Sequence, residues 1–237
     1  MIALLLVLLV ILSWASYIPG ADGTYAQNYQ DVWVLKVARL LNWTEGYFVD
    51  FGANDGIECS NTALLERAHG WRGVCVDPFP TNFHNRKCHV VSRAISTVDG
   101  DTVRFSGRGQ TRHIDPSGSI KRKTVTVRTL LKDAGAPEFI HFASLDIEGL
   151  EAVVLDSFPW QHHSVGIWIV EHNNDYAKRI AIRRVLETRG YSQVPVDNPG
   201  VDDYYMLNKL IHSIKGGLQS ELTSKPWRIH PWGSNGC

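Results

Sequence analysis

Several familiar signatures are missing from this chain, and each absence excludes something. Its four cysteines, Cys59, Cys75, Cys88 and Cys237, include no C-x-x-C pair, which argues against a structural zinc site. Basic residues number 24 and acidic residues 24, so no global field gathers nucleic acid, and no nucleic-acid partner is expected. Charged residues make up 20% and aromatics 10% of the 237 residues, the balance of a folded domain rather than a disordered one. No Lys or Arg precedes the long apolar run at residues 2–14, IALLLVLLVILSW, so the basic start of an ordinary signal peptide is absent.

With residues 15–18 that run approaches the roughly 20 residues of a membrane span. Residues 1–19 therefore read as a signal peptide or membrane anchor. The preferred reading is an uncleaved single-pass anchor with the domain on the non-cytoplasmic side. Ser13-Trp14-Ala15 has the small-x-small form of a cleavage site, so secretion after cleavage is the alternative. Residues 20–30 read as a polar, glycine-rich linker, 31–208 as one domain with length enough for a sizeable core, and 209–237 as a tail of no assigned role. Asn42-Trp43-Thr44 is a glycosylation sequon, meaningful in a secretory lumen. In such an oxidising space Cys59 and Cys88 are a candidate pair. Cys75, inside a core strand, reads as a small buried hydrophobe.

What is present centres on Tyr47-Phe48-Val49-Asp50-Phe51-Gly52-Ala53-Asn54-Asp55-Gly56. An apolar, β-branched run of this length reads as a buried strand. It ends in a turn with two glycines, and residues 60–69 follow as a helix. Glycines let backbone approach a ligand, and helix N-terminal N–H groups face it. The spacing is D-x-G-x-x-x-G rather than the dinucleotide fingerprint G-x-G-x-x-G. A carboxylate at the strand end repels pyrophosphate but suits a cationic amino-acid cofactor, which points to S-adenosylmethionine. Val74-Cys75-Val76-Asp77-Pro78 is a second strand closed by an acid, the position that accepts hydrogen bonds from ribose hydroxyls in nucleotide-binding α/β folds. The cofactor set is Asp50, Gly52, Asn54, Asp55, Gly56 and Asp77. Helix capping is the plain alternative for the two aspartates.

Together with Gln30-Asp31, Ser60-Asn61-Thr62, Trp71-Arg72-Gly73, Ser144-Leu145-Asp146-Ile147-Glu148-Gly149-Leu150-Glu151 and Val170-Glu171-His172-Asn173, these segments resemble the FkbM family of S-adenosylmethionine-dependent methyltransferases. The resemblance runs from about residue 25 to 207. It implies a Rossmann-like class I S-adenosylmethionine-dependent methyltransferase fold: α/β, with a mainly parallel seven-stranded sheet and helices on both faces. It also places the adenine near Arg93-Ala94-Ile95, which adds Ala94 to the cofactor set.

The remaining pattern agrees with such a fold. Residues 31–41 and 175–189 carry apolar positions at helical spacing, 129–134 and 150–158 read as shorter helices, and 88–95, 139–147, 165–170, 191–196 and 203–207 read as strands. Alternating strands and helices imply a mainly parallel sheet. Residues 102–105 and 123–127 read as a hairpin around a Gly- and Ser-rich loop. Arg104, Arg108, Arg112, Lys121, Arg122 and Lys123 gather there. They could attract an anionic substrate or lipid headgroups, against the plainer reading of a solvated edge kept soluble by charge.

Two further strands end in acids, Asp146 and Glu171, joined by Glu148, His172 and Asn173. In open α/β sheets ligands bind beyond the strands' carboxyl ends. Methyl transfer to a hydroxyl needs the acceptor aligned and its proton removed. His172 is the simplest base, with a pKa near neutrality; Asp146, Glu148 and Glu171 complete the catalytic set. Asp146, Glu171 and Asn173 are hard donors suited to Mg²⁺ or Ca²⁺, but no metal is assigned. The expected function is O-methylation of a hydroxyl on a sugar, glycan or small metabolite. The alternative is a catalytically silent binding module of the same fold at a membrane. No Asn-Pro-Pro-Tyr motif is present to suggest amide methylation.

Overall fold

The structure, a computed structural model, describes residues 23–108, 112–196 and 199–214. Side-chain alternation along the central strands decides its layering. In β1 (Tyr47–Phe51) Phe48 turns to one side while Val49 and Phe51 turn to the other. In β9 (Ser164–Glu171) Ile167 and Ile169 join the Phe48 side, and Val165, Trp168 and Val170 the opposite one. Both faces being apolar, the sheet requires cover on both.

Helices supply it. On the Phe48 side lie α1 (Gln30–Leu40), with Trp33, Val34 and Val37 inward, α2 (Ala63–His69), with Leu65 inward, and α6 (Asn208–Ser213). On the other lie α3 (Val127–Asp133), α4 (Glu151–Ser157) and α5 (Tyr176–Thr188), through Leu130, Leu155, Ile182 and Leu186. Between them, β2 (Arg72–Asp77), β3 (His89–Ser92), β8 (Phe139–Leu145), β10 (Tyr191–Gln193) and β11 (Asp202–Leu207) join β1 and β9 in seven strands ordered β10-β11-β9-β8-β1-β2-β3. All pairings are parallel except those of β11 with β9 and β10. The expected Rossmann-like class I methyltransferase architecture is thus present, with an antiparallel element at one edge.

A second, four-stranded sheet stands beside the first. It holds β4 (Ala94–Ile95), β5 (Thr102–Ser106), β6 (His113–Ile114) and β7 (Ile120–Val125) in the order β4-β7-β5-β6. Two expectations are corrected here. Residues 88–95 are two strands, because the Arg93 N–H turns back to the Val91 carbonyl at 3.0 Å and the chain leaves β2 to pair with β7. The Gly- and Ser-rich stretch is not merely a loop: β6 pairs with β5 within it, making a flap.

Residues 24–29 are not a free linker. Asp31 is fully buried and accepts hydrogen bonds from Thr24 Oγ1 at 2.6 Å and the Tyr25 N–H at 2.8 Å, which draws Tyr25 and Ala26 into the domain. Cys88 is bonded to Cys75, not to Cys59. Its segment runs beside β2, with Cα atoms 6.1 Å apart, within disulfide reach. The expected anchor at 1–19 lies outside the described residues, as does the expected tail of 209–237 from 215 onward; its first residues belong to α6. Among the described residues no helix is long and apolar enough to cross a membrane.

Candidate functional site

Each parallel strand delivers its last residue to the same end of the sheet. Gly52 follows β1 with φ +82°, and a Cβ there would collide with the Asp146 carbonyl, so the turn after β1 and the end of β8 approach closely only through glycine. The N–H groups of Gly52 and Ala53 donate to the Val76 carbonyl at 2.9 and 3.2 Å. Asn54, at φ +47°, donates its N–H to Asp77 Oδ2 at 2.9 Å, and the Phe79 N–H reaches Asp77 Oδ1 at 2.6 Å. Burial raises the Asp77 pKa, while these two hydrogen bonds oppose the rise. Asp50 is buried, and its Oδ2 accepts from Thr62 Oγ1 at 2.5 Å. Desolvation raises its pKa too, against Thr62 and Arg86.

Behind this turn sits a residue that sequence reasoning missed. Arg86 is buried; its guanidinium donates to Glu66, to Thr62 Oγ1 at 2.9 Å and to the Gly56 carbonyl. Glu66 also accepts from the N–H groups of Lys87 and Cys88 at 2.6 and 2.8 Å. One buried ion pair therefore fixes the turn, the start of α2 and the approach to β3. Nothing in the local sequence Asn85-Arg86-Lys87-Cys88 distinguishes this arginine from a solvated one.

Together these elements wall a cleft of about 430 Å³, a size suited to a small molecule. Asp50, Gly52, Asn54, Asp77 and Ala94 of the cofactor set line it; Asp55 and Gly56 do not. Asp55 instead closes the turn, its Oδ1 accepting from the N–H groups of Ile57 and Glu58, both at 2.8 Å, and its Oδ2 from Asn82 at 2.7 Å. Gly56 is needed for packing, since a Cβ would press into the Phe83 ring. Asn61 also lines the cleft. Its amide N–H donates to Ser144 Oγ at 2.9 Å, and its Oδ1 is buried without a partner.

Across the cleft stand Asp146 and Glu148, just after β8, with Glu171 of β9 behind the lining. Asp146, Glu148 and Glu171 each bring a carboxylate oxygen within 4.8 Å of the other two. Glu148, at φ +59°, lies in a loop whose Ile147 and Gly149 N–H groups donate to Glu151 Oε1 at 3.2 and 3.0 Å. Solvent reaches Asp146 along the cleft, but protein surrounds its carboxyl on the other sides. Desolvation, then Glu171, holds its pKa well above the usual range. Glu171 is buried behind it and is pushed up to about 7, first by desolvation. Carboxyls this close cannot all ionise cheaply, and a proton shared between Asp146 and Glu171 relieves them. A divalent cation would relieve them also, and these three are the set among the described residues with the spacing to hold one.

The structure separates His172 from this group. It is 2% exposed and is not among the cleft-lining residues. Its Nδ1 accepts from the Asn174 N–H at 3.0 Å, which puts the proton of the neutral ring on Nε2. That atom is 3.8 Å from Asp203 Oδ1, a carboxylate already held by Arg179 at 2.6 and 2.7 Å. Desolvation lowers the His172 pKa.

The profile of the methyltransferase FkbM domain matches residues 50–192. No curated protein matches. Solved structures similar to the chain include the delta-N METTL16 MTase domain (12% identity, 75% of this chain and 80% of that one, TM-score 0.42). A second is the precorrin-6y C5,15-methyltransferase from Geobacter metallireducens GS-15 (12%, 73% and 84%, TM-score 0.41). A third is the Burkholderia thailandensis 1,6-didemethyltoxoflavin-N1-methyltransferase with bound 1,6-didemethyltoxoflavin and S-adenosylhomocysteine (14%, 79% and 79%, TM-score 0.40).

Proposed function

Because the chain belongs to the FkbM methyltransferase family, we propose that it is an S-adenosylmethionine-dependent O-methyltransferase acting on a hydroxyl of a sugar, glycan or small metabolite. The observation that carries this reading is the division of one cleft into two acidic walls, Asp50 and Asp77 beside the glycine turn and Asp146 and Glu148 opposite, with Glu171 buried behind Asp146. The cofactor fits the first wall. Asp50 and the unpartnered Asn61 Oδ1 would accept from its ammonium, Asp77 from its ribose hydroxyls, and Ala94 and Ile95 would flank the adenine. Bound there, it supplies a methyl group on a sulfonium. Asp146 and Glu171 act as the base: once their shared proton has left, Asp146 takes the acceptor's hydroxyl proton as that oxygen gains the methyl group. Glu148 orients the acceptor. His172 faces Asp203 and takes no part.

The same reading keeps the domain on the non-cytoplasmic side of a membrane anchored by residues 1–19. It is supported by the Cys75–Cys88 disulfide, which oxidising compartments preserve, and by the exposed Asn42 of the sequon. A mobility shift on treatment with an N-glycosidase, absent in Asn42→Gln, checks it.

Calorimetric titration of S-adenosylmethionine into the full chain tests the enzyme. Binding that Asp50→Ala abolishes supports it. A folded chain with no heat of binding rejects it in favour of a silent binding module.

A further inference from the structure

Among the described residues, one arginine lines the acidic cleft. Besides Asp50, Glu58, Asp77, Asp146 and Glu148, its described lining includes Arg112, brought in by the flap just before β6. Arg112 makes no ion pair among those found in the described residues. Its charge acts on Asp77, but the two oxygens of Asp77 accept from backbone N–H groups and form no ion pair with it. The guanidinium instead lies over the Phe79 ring, 4.1 Å from its centroid, and its Nε is buried without a hydrogen-bond partner.

The support beneath it is rigid. Arg122 lies over the same ring at 4.3 Å, pinned by its Nε donating to the Pro78 carbonyl at 2.6 Å. Phe105 of β5 meets Phe79 edge to face at 5.2 Å. A guanidinium held flat on an aromatic ring keeps its donor fork available at the ring's edge, and that planar fork matches the oxygens of a carboxylate, phosphate or sulfate. Arg104 and Lys123, on neighbouring strands, donate to the carbonyls of Gly118 and Gly100, both at 3.0 Å, and do not line the cleft.

We propose that Arg112, seated on Phe79, is an oxyanion subsite of the cleft, so that the methyl acceptor carries a carboxylate, phosphate or sulfate near its reacting hydroxyl. This rests on the methyltransferase reading for the word acceptor, but the subsite itself does not. It also accounts for an acidic cleft admitting an anion: the acids stand at the cofactor and base walls, and the flap brings the Arg112 guanidinium to the lining.

The test titrates inorganic phosphate, sulfate and acetate separately into the full chain at low ionic strength, with and without saturating S-adenosylhomocysteine. Saturable binding of at least one anion to the wild-type complex is expected, weakened about tenfold or more in Arg112→Gln, with S-adenosylmethionine affinity changed much less. Arg112→Lys, which keeps the charge and loses the fork, is expected to fall between, and it carries the test if the Gln variant does not fold. Three results overturn the proposal: no saturable anion binding, anion affinity unchanged in both variants, or loss of S-adenosylmethionine affinity as large as the loss of anion affinity, which would give Arg112 to the cofactor's own carboxylate. Failure of the wild-type chain to bind S-adenosylmethionine sinks the enzyme reading instead, and the arm without cofactor still decides Arg112.

Discussion

The backbone N–H of Asn54 donates to Asp77 Oδ2 at 2.9 Å, joining the glycine turn to the end of β2 across 23 residues. Asp77 is thus both a proposed cofactor ligand and a structural tie, and two substitutions separate the roles. Asp77→Ala leaves the N–H groups of Asn54 and Phe79 without acceptors and removes the ribose acceptor. It should weaken S-adenosylmethionine binding by about 10- to 100-fold and also lower the melting temperature. Asp77→Asn keeps an acceptor for one of the two N–H groups and sets an NH2 donor against the other, so it should recover part of the stability while affinity stays reduced. If calorimetry finds wild-type affinity in both variants, Asp77 does not hold the ribose.

Glu171 sets the pH response. Its pKa stands at about 7 in the folded chain against an ordinary 4.5, so between those values the folded state binds more protons than the unfolded one. Stability from this group is present at low pH and lost as pH rises through about 7, with a full span on the order of 3 kcal/mol. Glu171→Gln should therefore flatten the fall in stability between pH 5 and 8 and leave the variant more stable than wild type at the alkaline end. Turnover runs the other way. The wild-type rate should rise through about pH 7 as the shared proton leaves, and the variant should lose that rise. Denaturant melts and rate profiles across the same range read both, and parallel curves for the two proteins would remove Glu171 from the base.

Most of the sheet was legible because each central strand combines a β-branched apolar run with a closing acid, as in β1, β2 and β9. The antiparallel edge and the split after Ser92 were not, because they depend on which neighbour a strand finds rather than on its own pattern. In the site, the positions of Asp50, Gly52 and Asp77 on the cleft were legible from strand ends and glycine spacing. Asp55 and His172 follow cleft motifs in the sequence, but the turn bonds of Asp55 and the burial of His172 against Asp203 keep them off the lining. Adjacent residues at a strand end point to opposite faces, so Glu171 meets Asp146 while His172 meets Asp203. Arg86, Asn61 and Arg112 gain their roles from partners about 11 to 83 residues distant, beyond any local motif.

His172 should prove structural. Its replacement by Ala opens a void in a buried site and strips the acceptor from the Asn174 N–H, at a cost of about 2–4 kcal/mol. The midpoint of the rate–pH profile should stay in place, because Glu171 sets it. A variant of wild-type stability whose profile midpoint moves would return His172 to the chemistry.

The Cys75–Cys88 bond joins a core strand to the segment that carries Arg86. It closes a loop with a sequence separation of 13, for which chain-entropy arguments give about 3 kcal/mol. Cys88→Ser should lower stability by about that amount. The effect should reach the cofactor as well, because the Cys88 N–H and Arg86 share Glu66, and Arg86 in turn holds the Gly56 carbonyl and the Thr62 hydroxyl that meets Asp50. A reductant should reproduce at least this loss in wild type, and should move Cys88→Ser less, because only the separate disulfide of Cys59 is left there to open. If S-adenosylmethionine affinity is the same for reduced and oxidised chains at a temperature where both are folded, the disulfide supports the fold alone and the path through Arg86 carries nothing to the cleft.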